Sequence, residues 1–251
     1  MALVWLDRPE KRNALSRPML ERLAEVFSGM RERRDLRAVI LTGRGGDDGD
    51  GAFSAGMDIA ELAALGEEEA RRAAERGQKV CELIETCPVP VIAAVNGVAA
   101  GGGCELALAC HLRVASTSAR FSLPETKPEV IPAYGGTRRL ARIIGERRAL
   151  AVMLAGESLA ADEALSCGLV NRVVASAELL SEAETLARFI VQHAPLAVRA
   201  CLEAVTRGAH MPLEDGLQLE AELFSRLFAT QDVREGTRAF LEKRQPVFKG
   251  E

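Results

Sequence analysis

Short, wholly apolar runs alternate with helical segments over the first 175 or so residues, and this alternation limits the possible folds more than any other feature. Ala38 to Leu41 and Val91 to Val95 carry no polar side chain and are too short to be helices. Such runs are typical of parallel strands covered on both faces. Leu3 to Leu6, His111 to Ala115 and Leu169 to Val174 are predicted to be further strands.

Helical periodicity fills the segments between these strands and the whole end of the chain. Ser16 is predicted to cap a first helix, and a second is predicted from about Glu67 to Thr86, before Pro88. From about Glu178 onward, four helical segments follow without a strand pattern: roughly 178–193, 196–207, 213–229 and 232–244. The sequence therefore predicts an α/β core followed by a helical extension.

Charge and composition exclude several classes of protein. The formal net charge is −4, whereas nucleic-acid-binding proteins normally show a basic surplus. No apolar run approaches the ~20 residues of a membrane-spanning helix, and the N-terminus lacks the pattern of a signal peptide. The six cysteines form no Cys-x-x-Cys pair and are predicted to be buried free thiols. These features predict a cytoplasmic protein that binds neither nucleic acid nor membrane.

The sequence contains no complete motif for a metal or a cofactor. The three histidines, His111, His193 and His210, are predicted to be structural or solvated, and no set of His, Cys and carboxylate residues has ligand spacing. Asp48 to Gly51 only faintly resembles a calcium loop, and no dinucleotide or phosphate loop is complete. We therefore expect neither a metal nor a separate cofactor.

Two segments rich in small residues are the strongest functional candidates. The first is Ala52 to Ile59, and the second is Asn96 to Ala107, which contains Gly101, Gly102 and Gly103. Free N–H groups at the start of a helix favour an anion, so two converging amides could stabilise an oxyanion. Close packing of a strand against a helix would require small residues as well. The residues alone leave both interpretations open.

These two segments resemble the signature of the crotonase, or enoyl-CoA hydratase/isomerase, superfamily. Further matches occur in the family's order between about residues 8 and 248, among them Arg12-Asn13-Ala14-Leu15, Leu123-Pro124-Glu125 and Gly135-Gly136-Thr137-Arg138-Arg139-Leu140. The resemblance implies a spiral of ββα units with a C-terminal helical region that mediates trimer formation. It places the spiral core and acyl-CoA site in residues 1–190 and the oligomerisation region in residues 191–251. A homotrimer or hexamer is therefore expected.

The resemblance also implies the active-site residues. The substrate is an acyl-CoA thioester whose carbonyl oxygen binds the backbone N–H groups of Met57 and Gly102. Substrate contacts are carried over, residue by residue, to the positions Ala55, Gly56, Met57, Asp58, Ile59, Gly101 and Gly102. Ala60 stands where many members have a lysine near the adenine, so Arg12 or Lys11 is expected to supply the phosphate contacts instead.

Two glutamates favour one reaction within the superfamily. Hydratases carry one glutamate after the glycines and another in the Pro-Glu element, and this chain has Glu105 and Glu125 at those positions. By resemblance, Glu105 activates the water that adds to an α,β-unsaturated acyl-CoA, and Glu125 exchanges the α-proton. The sequence thus predicts a metal-free enoyl-CoA hydratase of fatty-acid or branched-chain metabolism.

Several alternatives stay open at this point. A Δ3-Δ2-enoyl-CoA isomerase would need Glu125 alone, and a methylglutaconyl-CoA hydratase would use the same two glutamates. An RNA-binding or scaffold role, as in one family member, fits poorly with the net charge. Ala133, Glu129 and the long loop from Gly43 to Gly51 depart from the family pattern and could alter substrate choice.

Overall fold

The computed structural model describes residues 1–45 and 51–251. Within them lie nine strands: β1 (Ala2–Leu6), β2 (Val39–Gly43), β3 (Ala52–Ser54), β4 (Val91–Val95), β5 (Val98–Ala100), β6 (Leu112–Ser116), β7 (Arg120–Ser122), β8 (Ser158–Ala160) and β9 (Arg172–Val174). The acidic loop predicted from Gly43 to Gly51, with its rejected calcium motif, lies largely outside the described residues.

The described residues also form eleven α-helices. They are α1 (Arg17–Met30), α2 (Ile59–Leu62), α3 (Glu67–Glu85), α4 (Gly102–Ala109), α5 (Gly136–Ile144), α6 (Glu146–Leu154), α7 (Ala161–Ser166), α8 (Leu179–Val191), α9 (Pro195–Gly208), α10 (Leu213–Leu227) and α11 (Gln231–Leu241).

The chain winds between two sheets. The larger sheet has the order β1-β2-β4-β6-β9 and is parallel throughout, while the smaller has the order β3-β5-β7-β8 with only β8 antiparallel. The strands follow one another in pairs, namely β2–β3, β4–β5 and β6–β7. The first strand of each pair joins the larger sheet, the second joins the smaller sheet, and one or two helices follow. This is the predicted spiral of ββα units.

Burial explains why the apolar runs became the centre of the larger sheet. Every residue of β2 and β4 is buried, with helices packed on the sheet. One face of the larger sheet packs against α1 and α3 in the main hydrophobic core. The other face is covered by Leu179, Ala183 and Ala187 of α8. A strand covered on both faces needs no polar side chain, which confirms the α/β prediction.

Several predicted boundaries were inexact. The strand predicted at Leu169 to Val174 is reduced to Arg172–Val174, because the amides of Leu169 and Val170 bond to Ala164 O at the end of α7. Helix α4 begins at Gly102, within the second glycine-rich segment, so Glu105 lies in its first turn. The three-residue strands β3, β5, β7 and β8 were not predicted individually.

The capping hydrogen bond predicted for Ser16 at the start of the first helix was wrong. Ser16 does precede α1, but its side chain makes no capping hydrogen bond. The carboxylate of Glu61 accepts from Arg17 N instead, at 2.8 Å. A residue of α2 therefore performs the task that a local serine was expected to perform.

The cysteines are free, as predicted, but they are not all buried. Four of them are buried, Cys167 is half-buried and Cys201 on α9 is exposed. Among the histidines, His111 is structural: its ring accepts from Val91 N at 2.9 Å and lies 3.0 Å from Glu85 O. No helix of the described chain is both long and apolar enough to span a membrane. The boundary predicted between residues 190 and 191 falls at the end of α8 and stays a prediction.

Candidate active site

A cavity of about 620 Å³ lies where both candidate segments meet α3 and the turn after β7. Its wall is mostly apolar, with Leu62, Leu65, Ala70 and Ala74 among the lining residues. Two carboxylates, Glu105 and Glu125, also line it. An apolar cleft with a few convergent polar groups is the usual form of a small-molecule site.

The N-terminal segment braces one wall of this cavity. Ser54 Oγ donates to Asn13 O at 2.8 Å, and Asn13 Nδ2 donates to Ala52 O at 2.7 Å. Farther along, Leu15 N donates to Gly56 O at 2.7 Å, and Asp58 N donates to Leu15 O at 3.2 Å. These bonds hold the backbone on both sides of Met57, whose own N–H has no acceptor in the part of the chain that the structure describes.

The opposing wall is the beginning of α4. Gly102 is the first residue of this helix, so its N–H is one of the amides that a helix leaves without an internal acceptor. A Cβ at Gly56 would lie 3.2 Å from Gly102 N and 2.7 Å from Ala100 O. Gly56 (φ +93°) and Gly101 (φ +50°) both occupy backbone conformations that side chains disfavour. The glycines therefore let the two candidate segments come into contact.

Glu105 is fixed by the backbone of a distant segment. Its Oε1 accepts from Tyr134 N at 2.8 Å and from Gly136 N at 2.6 Å, and the residue is only 2% exposed. Arg139 holds this turn from outside, since its Nη1 donates to Tyr134 O at 2.9 Å while its Nη2 pairs with Glu85 at 2.8 Å. One oxygen of Glu105 is thus occupied, and the carboxylate has a fixed position.

Glu125 is held much more loosely. It lies in the turn after β7, and its Oε2 is buried without a hydrogen-bond partner among the described residues. A Cβ at Gly101 would lie 2.7 Å from Glu125 Oε1, so the carboxylate rests against the glycine next to Gly102. Its oxygens are therefore free to exchange a proton with a bound molecule.

Burial sets the protonation of both glutamates. It raises the pKa of Glu105 to about 7, although the amides of Gly136 and Tyr134 act in the opposite direction. Burial also raises the pKa of Glu125 to about 7, and the charge of Glu105 adds to that increase. Two carboxyls that titrate near neutrality can each take up or release a proton at neutral pH.

Most of the substrate contacts predicted from the sequence lie together in the cavity wall. These are Ala55, Gly56, Met57, Ile59, Gly101 and Gly102, which line it with the two glutamates. The structure thus brings the predicted amides and carboxylates into one site.

Two predicted contacts do not line the cavity. Asp58 forms an ion pair with Arg8 at 2.6 Å and accepts from Ala60 N at the start of α2, and its hydrogen bond with Arg8 lowers its pKa. Arg12 has an exposed side chain, and its carbonyl oxygen accepts from Ala55 N at 2.9 Å. Both residues support the loop that carries Met57, and the substrate contacts assigned to them stay predictions.

Sequence reasoning missed several residues of the site. Tyr134 and Gly136 hold Glu105, and Leu62, Leu65, Ala70, Ala74 and Lys127 complete the cavity wall. The small residues Ala70, Ala74 and Gly77 share one side of α3, and this spacing could have indicated a close approach to that helix. No group of three or more potential metal ligands occurs within residues 1–45 and 51–251.

Known proteins share both the sequence and this architecture. The family model described as enoyl-CoA hydratase/isomerase matches residues 1–251. A short-chain-enoyl-CoA hydratase from Clostridium acetobutylicum is 40% identical over 98% of this chain and 92% of its own length. A crotonyl-CoA hydratase from Syntrophomonas wolfei is 40% identical over 99% of this chain and 94% of its own.

A solved structure agrees with these relatives. The crystal structure of an enoyl-CoA hydratase from Bacillus anthracis superposes with a TM-score of 0.94 at 41% identity, covering 99% of this chain and 95% of that one. The chain belongs to the enoyl-CoA hydratase/isomerase family.

Proposed function

We propose that the protein is an enoyl-CoA hydratase, a lyase that adds water reversibly to a trans-2-enoyl-CoA and gives a 3-hydroxyacyl-CoA. The observation that carries this proposal is that two glutamates with pKa values raised to about 7 line one apolar cavity, beside two amides with no acceptor among the described residues. Full-length relatives named as enoyl-CoA hydratases support the same reaction.

The two amides suit the thioester oxygen. When a nucleophile adds to Cβ, negative charge develops on this oxygen as the thioester becomes an enolate. The N–H groups of Met57 and Gly102 are the proposed donors, and loss of one such donor typically costs about 2.7–4 kcal/mol of transition-state stabilisation. Both are backbone groups on well-braced segments, so they need no reorganisation during the reaction.

The glutamates suit the proton transfers. Water forms a bond to Cβ through its oxygen and gives up a proton, while Cα gains one as the carbon–carbon double bond becomes single. Glu105, fixed through Oε1, is proposed to orient and deprotonate the water, and Glu125 to deliver the proton to Cα. Each such group contributes about 10²–10⁴-fold in rate.

Steady-state kinetics test the proposal. We would follow the loss of enoyl-thioester absorbance with C4 to C16, branched and carboxylated 2-enoyl-CoA substrates. Hydration of at least one class, much faster than its isomerisation from the 3-enoyl form, is expected. If 3-enoyl-CoA is instead isomerised far faster than any 2-enoyl-CoA is hydrated, the enzyme is an isomerase. Turnover is expected to survive EDTA treatment and dialysis.

A trimer or hexamer is part of the proposal. Exposed apolar side chains on the last helices support it, namely Val205, Leu213, Leu217, Phe224, Phe228 and Phe240. Exposed apolar area of this kind is typical of a protein interface. Light scattering at micromolar concentration should give three or six times the chain mass of 27.0 kDa, and a monomer would contradict this part. The cytoplasmic location stays a prediction.

A further inference from the structure

Tyr134 is the single tyrosine of the chain, and its hydroxyl has no partner. The residue lines the cavity and is 1% exposed, yet its Oη forms no hydrogen bond with any described residue. Buried polar groups are nearly always paired, because an unpaired one loses its hydrogen bonds to water without replacement. The described residues do not provide a hydrogen-bond partner for this hydroxyl, which leaves a bound ligand to supply it.

Two glycines hold the ring in place. A Cβ at Gly77 of α3 would lie 2.0 Å from the ring's Cδ1, and a Cβ at Gly102 of α4 would lie 2.8 Å from its Cε2. The ring therefore fills the space between these two helices. Arg139 also holds the backbone of Tyr134 through its carbonyl oxygen. Because the ring is wedged and its backbone anchored, the hydroxyl has a defined position and does not turn out to solvent.

That position is close to the reacting atoms. The ring contacts Gly102, whose amide is a proposed thioester donor, and Tyr134 N binds the carboxylate of Glu105. The ring therefore lies in the cavity wall beside the proposed amide donor and Glu105. Among the other lining residues, Leu65, Ala70 and Ala74 carry no polar side chain.

The hydroxyl acts as a donor at neutral pH. Burial raises its pKa, and the negative charge of Glu105 raises it further. It therefore stays protonated and can donate a hydrogen bond to an oxygen of a bound ligand.

We propose that Tyr134 is a specificity-determining residue whose hydroxyl donates a hydrogen bond to an oxygen on the acyl chain. The favoured substrates are short 2-enoyl-CoA thioesters that carry a hydroxyl, carbonyl or carboxylate oxygen beyond the double bond. Hydrocarbon chains of equal length leave the Tyr134 hydroxyl unpaired. This inference rests on the proposed function in one respect, that the ligand is an acyl-CoA.

Binding of unreactive saturated thioesters tests the inference apart from turnover. We would titrate wild type and Tyr134→Phe with two pairs, 4-hydroxybutanoyl-CoA against butanoyl-CoA and glutaryl-CoA against pentanoyl-CoA. In at least one pair, the variant should lose affinity for the oxygen-bearing member relative to its partner. The expected loss is about threefold to tenfold for the hydroxyl and about tenfold to a hundredfold for the carboxylate. Equal affinity ratios in wild type and variant for both pairs would overturn the inference.

Wild-type binding alone gives a second readout, which stands even if the variant does not fold. A purely apolar pocket rejects polar chains, so a preference above about tenfold for both hydrocarbon members would also overturn the inference. Hydration of the panel of 2-enoyl-CoA substrates by the wild type is measured separately. Its absence for every class would count against the hydratase proposal, whereas the affinity ratios report on Tyr134 independently.

Discussion

The two glutamates of the cavity have the same pKa, about 7, but differ in how they are held. Glu105 is 2% exposed, lies on a helix and receives two backbone hydrogen bonds on one oxygen. Glu125 lies in a turn and has a buried oxygen with no partner within the described chain. The two carboxyls thus have similar pKa values, although hydrogen bonds fix Glu105 and leave an oxygen of Glu125 without a partner.

This difference indicates different tasks. A carboxylate that must aim a water molecule at one carbon benefits from a fixed direction, because misplacement of a reactant lowers the rate steeply. A carboxyl that carries a proton between solvent or water and Cα benefits from an unoccupied oxygen. The structure therefore supports Glu105 as the group that positions water and Glu125 as the proton carrier.

The largest expected effect comes from removing either carboxylate. Glu105→Gln and Glu125→Gln should each lower the kcat of hydration by at least about 10²-fold with little change in KM, since neither group is expected to grip CoA. Isomerisation of 3-enoyl-CoA should need Glu125 but not Glu105. The measurement is both reactions in both variants, with the exposed Glu146→Gln as a matched control.

The comparison fails if Glu105→Gln leaves hydration unchanged. In that case Glu125 alone performs the chemistry, and the rigid setting of Glu105 is merely structural.

A smaller effect should follow from loosening the support of Glu105. Arg139→Gln removes the contact with Tyr134 O and the ion pair with Glu85, so the turn that binds Glu105 Oε1 is no longer fixed. Hydration kcat should fall by about tenfold, as expected for a charged hydrogen bond, and isomerisation should fall less. Glu85→Gln should add little to Arg139→Gln, because both act on one contact.

The pH profile separates this effect from general damage. The positive charge of Arg139 lowers the pKa of Glu105, so its loss should move the acid limb of hydration to higher pH. Partial rescue by Arg139→Lys is expected. A uniform loss of both reactions at every pH would mean that Arg139 only stabilises the fold.

Wild-type activity should depend on pH in a bell shape centred near 7. Hydration needs one carboxyl ionised and one able to give a proton, and both titrate near this value. The two apparent pKa values belong to the pair, because the charge of Glu105 raises the pKa of Glu125. One pH unit beyond either limb, kcat should drop by about tenfold, and a flat profile from pH 5 to 9 would contradict the assignment.

The same burial makes a prediction about stability. Each raised pKa means that the folded chain holds protons which the unfolded chain releases, so stability should fall as pH rises from about 4.5 to about 7. Thermal unfolding of wild type and Glu105→Gln over this range checks the sign. The variant should show a shallower decline, because its neutral amide does not ionise.

The smallest effect on catalysis is expected at Asp58, which the structure places outside the cavity wall. Asp58→Asn weakens the ion pair with Arg8 and the cap of α2, which should cost about 1 kcal/mol of stability. Hydration kcat should stay within about twofold of wild type. Urea unfolding and the standard assay measure both, and a hundredfold loss of kcat would restore Asp58 to the site.

How much of the site was visible in the sequence depends on the kind of signal each residue carries. Glu105, Met57 and Gly102 were identifiable because their segments resemble those of a family. Asp58 and Arg12 do not line the cavity, since position in a motif does not fix the direction of a side chain, and their predicted substrate contacts stay predictions.

The sequence alone determined the apolar centre of the larger sheet, the longer helices α1, α3 and α8 to α11, and the glycine-rich segments. Each of these follows from local periodicity or from small residues that neighbours in the chain make recognisable. Only the tertiary structure decided how Glu105 meets Tyr134 N and Gly136 N, 29 and 31 residues away, and where the Tyr134 ring lies. The physical reason is that every non-proline residue carries the same backbone amide, so residue types do not reveal which amides will form a site. Only the fold brings those amides together.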